Sequence, residues 1–223
     1  LKTFLRNKNK VAIIPFFNEE HFLSRVIADT LPHVDFLILV NDGSTDGSKD
    51  KIPQDPKILL IESPVNEGKG AALNHGFREA IALNAEFVIT LDGDGQHSPE
   101  CIPEFFEKLK ANDCVIGARK KIPGIMPPQR ILSNFLTSLM LSMKVGRKVR
   151  DSQSGFRGYR VAALSGNLPK NTGFMAETEI LINLLRKNLR LGYVEIPTIY
   201  EDQQSKMNPI ESILHFIRLM LFH

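Results

Sequence analysis

Short apolar runs and helical stripes alternate along this chain as far as Arg119. Val11-Ala12-Ile13-Ile14, Phe36-Leu37-Ile38-Leu39-Val40, Ile58-Leu59-Leu60-Ile61, Phe87-Val88-Ile89 and Cys114-Val115-Ile116-Gly117 are unbroken apolar segments. Runs of this kind are the mark of parallel strands covered on both faces. Pro15 closes the first of them and Pro64 follows the third, as suits strand ends. Phe22, Leu23, Val26, Ile27 and Leu31 recur at helical spacing and predict a helix from about Asn18-Glu19-Glu20 to Leu31. A second helix is predicted from Asn66-Glu67-Gly68-Lys69-Gly70 to about Leu83, and a third from Ser98-Pro99 to about Lys110. The alternation predicts an α/β fold, a doubly wound, mostly parallel central sheet flanked by helices. Such sheets bind ligands at the carboxyl ends of their strands.

The rhythm changes after Arg119. Residues 120–129 hold Pro123, Gly124, Pro127 and Pro128 and are predicted to form a loop. Arg130 to about Val145 predicts a helix of mostly Leu, Phe, Met, Ser and Thr, followed by a basic turn from Gly146 to Arg150. Asp151 to Arg160 runs into a strand, Ala176 to about Asn188 is helical, and Tyr193-Val194-Glu195-Ile196 is a last strand before Pro197. Ile210 to Phe222 has an apolar face interrupted by Glu211, His215 and Arg218, the pattern of an amphipathic helix at a surface. The expected organisation is one domain over 1–206, with halves of about 11–119 and 120–206, then the amphipathic helix within 207–223.

Bulk composition narrows the class. A length of 223 residues suits one large domain, and 43% hydrophobic with 24% charged residues is ordinary for a soluble globular chain. A net charge of +3 is too mild to argue for a nucleic-acid partner. Cys101 and Cys114 have no metal spacing and read as buried thiols in a reduced, cytoplasmic setting. No apolar run approaches the ~18 residues of a membrane span. The chain starts at Leu1, so a natural start further upstream is expected. His21, His33, His75 and His215 lack ligand spacing and read as surface or packing residues.

Three polar loops fall on the predicted carboxyl edge of the sheet: Pro15 to Glu19, Asn41 to Ser48, and Asp92 to His97. In the last, two carboxylates stand one residue apart, each followed by a glycine that permits the backbone to bend. Asp92 and Asp94 can then converge on one hard, oxygen-loving cation such as Mg²⁺ or Mn²⁺; the alternative is a solvated acidic turn. His97 follows and is placed to touch the site. Gly68-Lys69-Gly70 resembles a phosphate cradle without the full P-loop pattern, leaving Lys69 as a candidate contact at a helix terminus.

Taken in order, these segments resemble glycosyltransferase family 2, and within it the polyprenol-phosphate sugar transferases of the dolichyl-phosphate mannose synthase type. The matching stretches are Ile14-Pro15-Phe16-Phe17-Asn18-Glu19, Val40-Asn41-Asp42-Gly43-Ser44-Thr45-Asp46-Gly47, Asn66-Glu67-Gly68-Lys69-Gly70, Asp92-Gly93-Asp94-Gly95-Gln96-His97, Gly117-Ala118-Arg119 and Asp151-Ser152-Gln153-Ser154-Gly155-Phe156-Arg157. The resemblance implies a GT-A fold and an inverting transfer of sugar from a nucleotide-diphosphate donor, with Mg²⁺ or Mn²⁺ as cofactor. It implies that Asp92 and Asp94 are the acidic pair of the metal site, Asp94 the firmer ligand, with Gln96 as the candidate third oxygen. Pro15, Phe17, Glu19, Val40, Asp42, Asp92, Gly93, Asp94 and Lys206 would contact the nucleotide sugar. Arg119 and Asp151 would be catalytic, and Arg130, with Ser133 or Asn134, would hold the acceptor phosphate. Guanidinium forks suit that task. Phe17 stands where the family often has Tyr, and Asn41 replaces the first Asp of the usual pair. Near the end, Tyr200-Glu201-Asp202-Gln203-Gln204-Ser205-Lys206 keeps the Ser-Lys of the lipid-phosphate transferases but lacks their Arg.

The acceptor the resemblance implies is a polyprenyl phosphate, dolichyl or undecaprenyl, met by peripheral contact at the cytoplasmic face of a membrane. A lipid phosphate is already ionised and needs little general base, so Asp151 would then position groups or the metal. A sugar-hydroxyl acceptor, as in other members, would need a base, for which Asp151 and Glu177 are the candidates. Glu177 and Glu179 also suit the start of a helix as favourable dipole charges. Two further readings are a non-catalytic nucleotide-sugar binding module and a nucleotidyltransferase. The former has no need of Asp94 or Asp151. The latter would want a glycine-rich basic loop where Pro15-Phe16-Phe17-Asn18-Glu19 stands.

Overall fold

In the computed structural model, residues 9–120 and 128–199 are described. Every predicted apolar run is a strand of one seven-stranded sheet, ordered β3-β2-β1-β4-β6-β5-β7. The first five are β1 (Lys10–Phe16), β2 (Phe36–Asp42), β3 (Ile58–Ser63), β4 (Phe87–Thr90) and β5 (Cys114–Arg119). β2, β3 and β5 run past their apolar cores, which draws Asn41, Asp42 and Arg119 into the ladder at the carboxyl edge. Apolar periodicity is blind to such polar strand ends.

Side chains alternate across the sheet. Val11, Ile13, Ile38 and Val40 face a core closed by α2 (Lys69–Ala82) and α6 (Ala176–Arg186). Ala12, Ile14, Leu37 and Leu39 face the other, closed by α1 (Leu23–Thr30) and α3 (Ile102–Leu109). α1 buries Leu23, Val26, Ile27 and Thr30, and α3 buries Ile102, Phe105, Phe106 and Leu109, one stripe each at the spacing of a single helix face. Full burial of one such aliphatic side chain contributes about 1.5–3 kcal/mol. α1 gives way at Leu31–His33 to a 3-10 turn carrying Pro32, and α3 is preceded by another over Pro99–Cys101. Both predicted helices are therefore shorter as α-helices than their patterns suggested.

The sheet departs from simple parallel winding at one place. β5 does not lie beside β4: β6 (Arg157–Arg160) runs antiparallel between them, and β7 (Leu191–Ile196) is the outer neighbour of β5. Because β6 runs backwards, it begins at the edge where β4 ends, with Thr90 paired to Arg157. The Thr90 hydroxyl donates to the Gly155 carbonyl at 3.0 Å. That single inverted strand carries the segment Asp151–Phe156 to the acidic turn. A short helix, α5 (Val161–Leu164), follows β6 and had no signature in the pattern, while α4 spans Pro128–Val145. Cys114 is buried as expected, but Cys101, in a 3-10 turn, is only partly covered.

Ser205, Lys206, His215, the helix expected over Ile210 to Phe222, most of the loop at 120–129 and the side chain of Arg130 lie outside the described residues. Among those described, no helix is long and apolar enough to cross a membrane.

Gly43 gives a test of the edge's geometry. Its φ is 73°, and an added Cβ would lie 2.5 Å from the Val65 carbonyl carbon and 2.6 Å from the Asn66 nitrogen. Both strain and backbone overlap oppose a side chain, so Gly43→Ala is expected to cost about 2 kcal/mol in urea unfolding. An unchanged midpoint would contradict it.

Candidate active site at the carboxyl edge of the sheet

β4 ends at Thr90 and the chain turns at once through Asp92, Gly93, Asp94 and Gly95. The Asp92 N–H donates to His97 Nδ1 at 3.0 Å, and the Gln96 N–H donates to Asp94 Oδ1 at 3.0 Å. His97 stacks on Phe156, which itself stacks on Phe105, so the turn is anchored to α3. Burial, and then the cations Lys69 and Arg119, hold the His97 imidazole below its ordinary value against the pull of Asp92 and Asp94. A neutral ring accepting at Nδ1 carries its proton on Nε2.

Lys69 is the partner that sequence reasoning underrated. As the first residue of α2 it reaches Asp92 Oδ1 at 2.6 Å and Glu177 Oε2, in the first turn of α6, at 3.2 Å. Burial alone would lower its ammonium, yet the two carboxylates raise it. Asp92 is driven upward by burial and ends below the ordinary carboxylate value, chiefly through Lys69. Asp94 shows the opposite: burial, then the charge of Asp92, push its carboxyl up. Gly155 passes over the ion pair so closely that an added Cβ would meet Asp92 Oδ2 at 2.7 Å and Lys69 Nζ at 2.8 Å. A signal for Lys69 existed in the sequence. A cation at a helix N-terminus opposes the macrodipole and calls for an acid nearby. Glu179 stands in the first turn of α6, as the dipole reading expected, and also accepts from the Lys170 and Asn171 N–H groups, fastening the loop before α6.

The second cluster lies at the ends of β5 and α4. Arg119 Nε and Nη2 donate to the Asp151 carboxylate at 2.8 and 2.9 Å, a bidentate fork. Asn134 adds a hydrogen bond to Asp151. Burial would raise the Asp151 carboxyl, but the Arg119 guanidinium outweighs it and holds the group below its usual range. A depressed carboxyl stabilises the fold above its unfolded value and loses that contribution as pH falls through its folded one. The stability gap between wild type and Asp151→Asn should therefore narrow below about pH 4 in urea titrations. A gap constant down to pH 3 would contradict the pairing. Ser133 accepts from the Gln153 amide at 3.2 Å, and Asn134 is buried against Ser138. The two clusters feel one another, since Arg119 contributes to lowering both Asp92 and His97.

The loops after β1 and β2 form the remaining wall. Asn18 Oδ1 accepts from the Thr45 N–H and Ser48 Oγ accepts from the Glu19 N–H, tying the two loops together. Gly93 packs on Phe16, Glu19 and the Pro15 carbonyl, which sets the acidic turn against the first loop. Phe17 is half-buried there. Asp42 is buried, and its two oxygens accept from the Glu67 and Gly68 N–H groups at 2.8 and 2.9 Å. Val40 is fully buried, so its side chain belongs to the core and only its main chain borders the edge. Of the residues singled out in the sequence, the edge thus gathers Pro15, Phe17, Glu19, Asp42, Asp92, Gly93, Asp94, Gln96, Arg119, Ser133, Asn134 and Asp151.

Comparison with known proteins agrees with this geometry. Residues 11–167 match the family model described as glycosyl transferase family 2. The undecaprenyl-phosphate mannosyltransferase of Micrococcus luteus is 28% identical over 214 residues, covering 89% of this chain and 87% of that protein. The UDP-N-acetylglucosamine–dolichyl-phosphate N-acetylglucosaminyltransferase of Methanococcus voltae is 31% identical over 215 residues, covering 85% of each. The crystal structure of glucosyl-3-phosphoglycerate synthase from Mycobacterium tuberculosis, in complex with Mn²⁺, UDP and glucosyl-3-phosphoglycerate, superposes with a TM-score of 0.70. At 20% identity, over 98% of this chain and 79% of that one, it shares the GT-A fold. The expected architecture is therefore the observed one, with β6 as its inverted member. The chain belongs to glycosyl transferase family 2 and is a glycosyltransferase.

Proposed function

We propose that this chain transfers a sugar, with inversion, from a nucleotide-diphosphate donor to a polyprenyl phosphate at the cytoplasmic face of a membrane. The observation that carries this reading is the state of Asp151. Its carboxylate is buried, gripped by both arms of the Arg119 fork and held ionised, which makes it a poor general base. Glu177, the other candidate, is engaged by Lys69. An edge whose carboxylates are so committed suits an acceptor oxygen that is already ionised, as a phosphate is. The lipid-phosphate acceptors named for the Micrococcus and Methanococcus relatives support the same choice.

In this reading Asp42 and the Pro15, Phe17 and Glu19 loop hold the nucleoside, with the main chain of Val40 and Gly93 alongside and Lys206 capping the diphosphate. Arg119 meets the acceptor phosphate with Arg130, Ser133 and Asn134, and Asp151 acts through Arg119 as a positioning residue. The donor set for a metal fits Mg²⁺ or Mn²⁺: Asp94, Gln96 and Asp92 offer hard oxygens. No group of three or more His, Cys, Asp or Glu converges among the described residues; an ion held by the Asp92 and Asp94 carboxylates would take its further oxygens from the diphosphate. Burial, and then the charge of Asp92, push the Asp94 carboxyl up, a push that a cation at the turn would oppose. A divalent cation bound there supplies charge stabilisation to the departing diphosphate.

The test is incubation of the full chain with radiolabelled UDP-glucose, UDP-N-acetylglucosamine or GDP-mannose, Mn²⁺ and polyprenyl phosphate. Label passing into the organic phase is expected with one of them. No extractable label with any donor would refute the reading, and label on an added oligosaccharide would move the assignment to a hydroxyl acceptor.

A further inference from the structure

Glu177 is buried at the candidate site, yet in the proposed reaction it touches neither donor nor acceptor. Its side chain is nine-tenths covered in the first turn of α6. Oε2 takes the Lys69 ammonium at 3.2 Å, while Oε1 has no hydrogen-bond partner. Buried oxygens are nearly always paired, so Oε1 is an acceptor in reserve. Asp92 is crowded by comparison. The same ammonium lies 2.6 Å from its Oδ1, and Oδ2 lies against Gly155, where an added Cβ would stand 2.7 Å away. A divalent cation ligated by this carboxylate would come within a few ångströms of the Lys69 charge. Two positive charges so close repel strongly away from bulk water.

The backbone decides which of the two partners Lys69 keeps. The start of α2 is fastened to the start of α6: the Ala71 N–H donates to the Thr172 carbonyl at 3.1 Å. A Cβ added at Gly70 would meet the Asn171 carbonyl oxygen at 2.5 Å and the Ala176 Cβ at 2.7 Å. Lys69 and Glu177 therefore stay together, whereas Asp92 belongs to a separate turn anchored through His97 and Phe156.

We propose that the Lys69 ammonium is an internal counter-ion with two resting places, shared between Asp92 and Glu177 in the metal-free protein and passing wholly to Glu177 when a divalent cation takes Asp92. This rests on the metal reading of Asp92 and Asp94 given above and adds the residues that decide how readily the ion enters. Lys69 and Glu177 are positioning residues here, acting on the ion through Asp92. No proton moves, because the ammonium keeps its charge on either partner. The displacement is small: Nζ is already at Oε2, and a swing of the flexible stem brings its other N–H donors to Oε1. Glycine at 155 leaves the tip room, since an added Cβ would stand 2.8 Å from Nζ. Lys69 and Asp92 must part before the ion is held, which keeps the affinity for free metal low. The cation then enters together with the diphosphate oxygens that complete its shell.

Mn²⁺ titration followed by electron paramagnetic resonance reads this exchange without turnover. Lys69→Met removes the competitor and is expected to bind Mn²⁺ alone about tenfold more tightly than wild type. Glu177→Gln keeps the ammonium but takes away its second resting place, and should weaken Mn²⁺ binding about tenfold with whichever of UDP and GDP the chain binds. The amide has nearly the shape of the carboxylate, so this variant carries the test if Lys69→Met does not fold. A crystal structure with Mn²⁺ and that nucleotide should show Nζ within hydrogen-bond reach of both Glu177 oxygens and beyond reach of Asp92. Unchanged Mn²⁺ affinity in Glu177→Gln, or Nζ still on Asp92 beside a bound ion, would overturn the proposal. If Asp94→Ala abolishes Mn²⁺ binding in that case, the metal reading stands and the exchange alone falls. No Mn²⁺ binding by wild type with either nucleotide would remove both.

Discussion

Asp94→Ala is expected to lower sugar transfer by about a thousandfold, the scale of a lost metal contact to a leaving group, while leaving the fold intact. Two features of the turn make that separation sharp. The Gln96 N–H donates to the Asp94 side chain, a local bond worth about 1 kcal/mol. Against it stands the upward push that burial and the Asp92 charge exert on the Asp94 carboxyl, a repulsion that alanine relieves. Thermal unfolding without metal is expected to change little in the variant. With Mn²⁺ and a nucleoside diphosphate the wild type should gain stability by mass action and the variant should not. A variant that still shows the Mn²⁺-dependent rise would remove Asp94 from the metal site.

The parallel part of this fold was legible because parallel strands are buried on both faces and therefore spell themselves as Val-, Ile- and Leu-rich runs. β6 was expected as a strand following Asp151, but Arg157-Gly158-Tyr159-Arg160 reads as polar chain and shows neither its burial nor its inverted direction. Its burial depends on a device that no periodicity reports. The guanidinium of Arg157 is fully enclosed and donates to the carbonyls of Ser154, Glu177 and Ser152 at 2.8, 2.6 and 2.7 Å. A charge satisfied by main-chain carbonyls is a tertiary fact, visible only when the 151–156 segment and α6 are in place. The same holds at the site. The acidic turn, the Asn41–Ser48 loop and the Pro15–Glu19 loop were placed on one edge by the strand–helix alternation alone. The state of each carboxylate was not, because it follows from who stands opposite: Arg119 for Asp151, two backbone amides for Asp42, Lys69 for Asp92. The resemblance makes Asp94 the firmer ligand of the pair but gives no physical reason, whereas here Asp92 already has a cation at 2.6 Å.

Lys69→Met should for that reason be the most destabilising of the substitutions considered, at about 3–5 kcal/mol. The Lys69 side chain is only 17% exposed, and its two partners are 29% and 10% exposed, so water does little to replace it. Removing the ammonium takes away the counter-charge shared by Asp92 and Glu177 and leaves Asp92 the pull of Arg119, beside a Glu177 Oε1 that already has no hydrogen-bond partner. Methionine keeps the stem's packing, so a loss of this size would report charge and not volume. Adding Glu177→Gln removes one of the stranded carboxylates and should return part of the loss, giving a coupling energy between positions 69 and 177 in urea unfolding. Lys69→Arg should restore little, because the Gly155 backbone lies against the ammonium and leaves no room for a planar fork. If Lys69→Met costs less than about 0.5 kcal/mol, the scale of an exposed pair, the ion pair is a surface contact. Asp92 would then be as ready for a cation as Asp94.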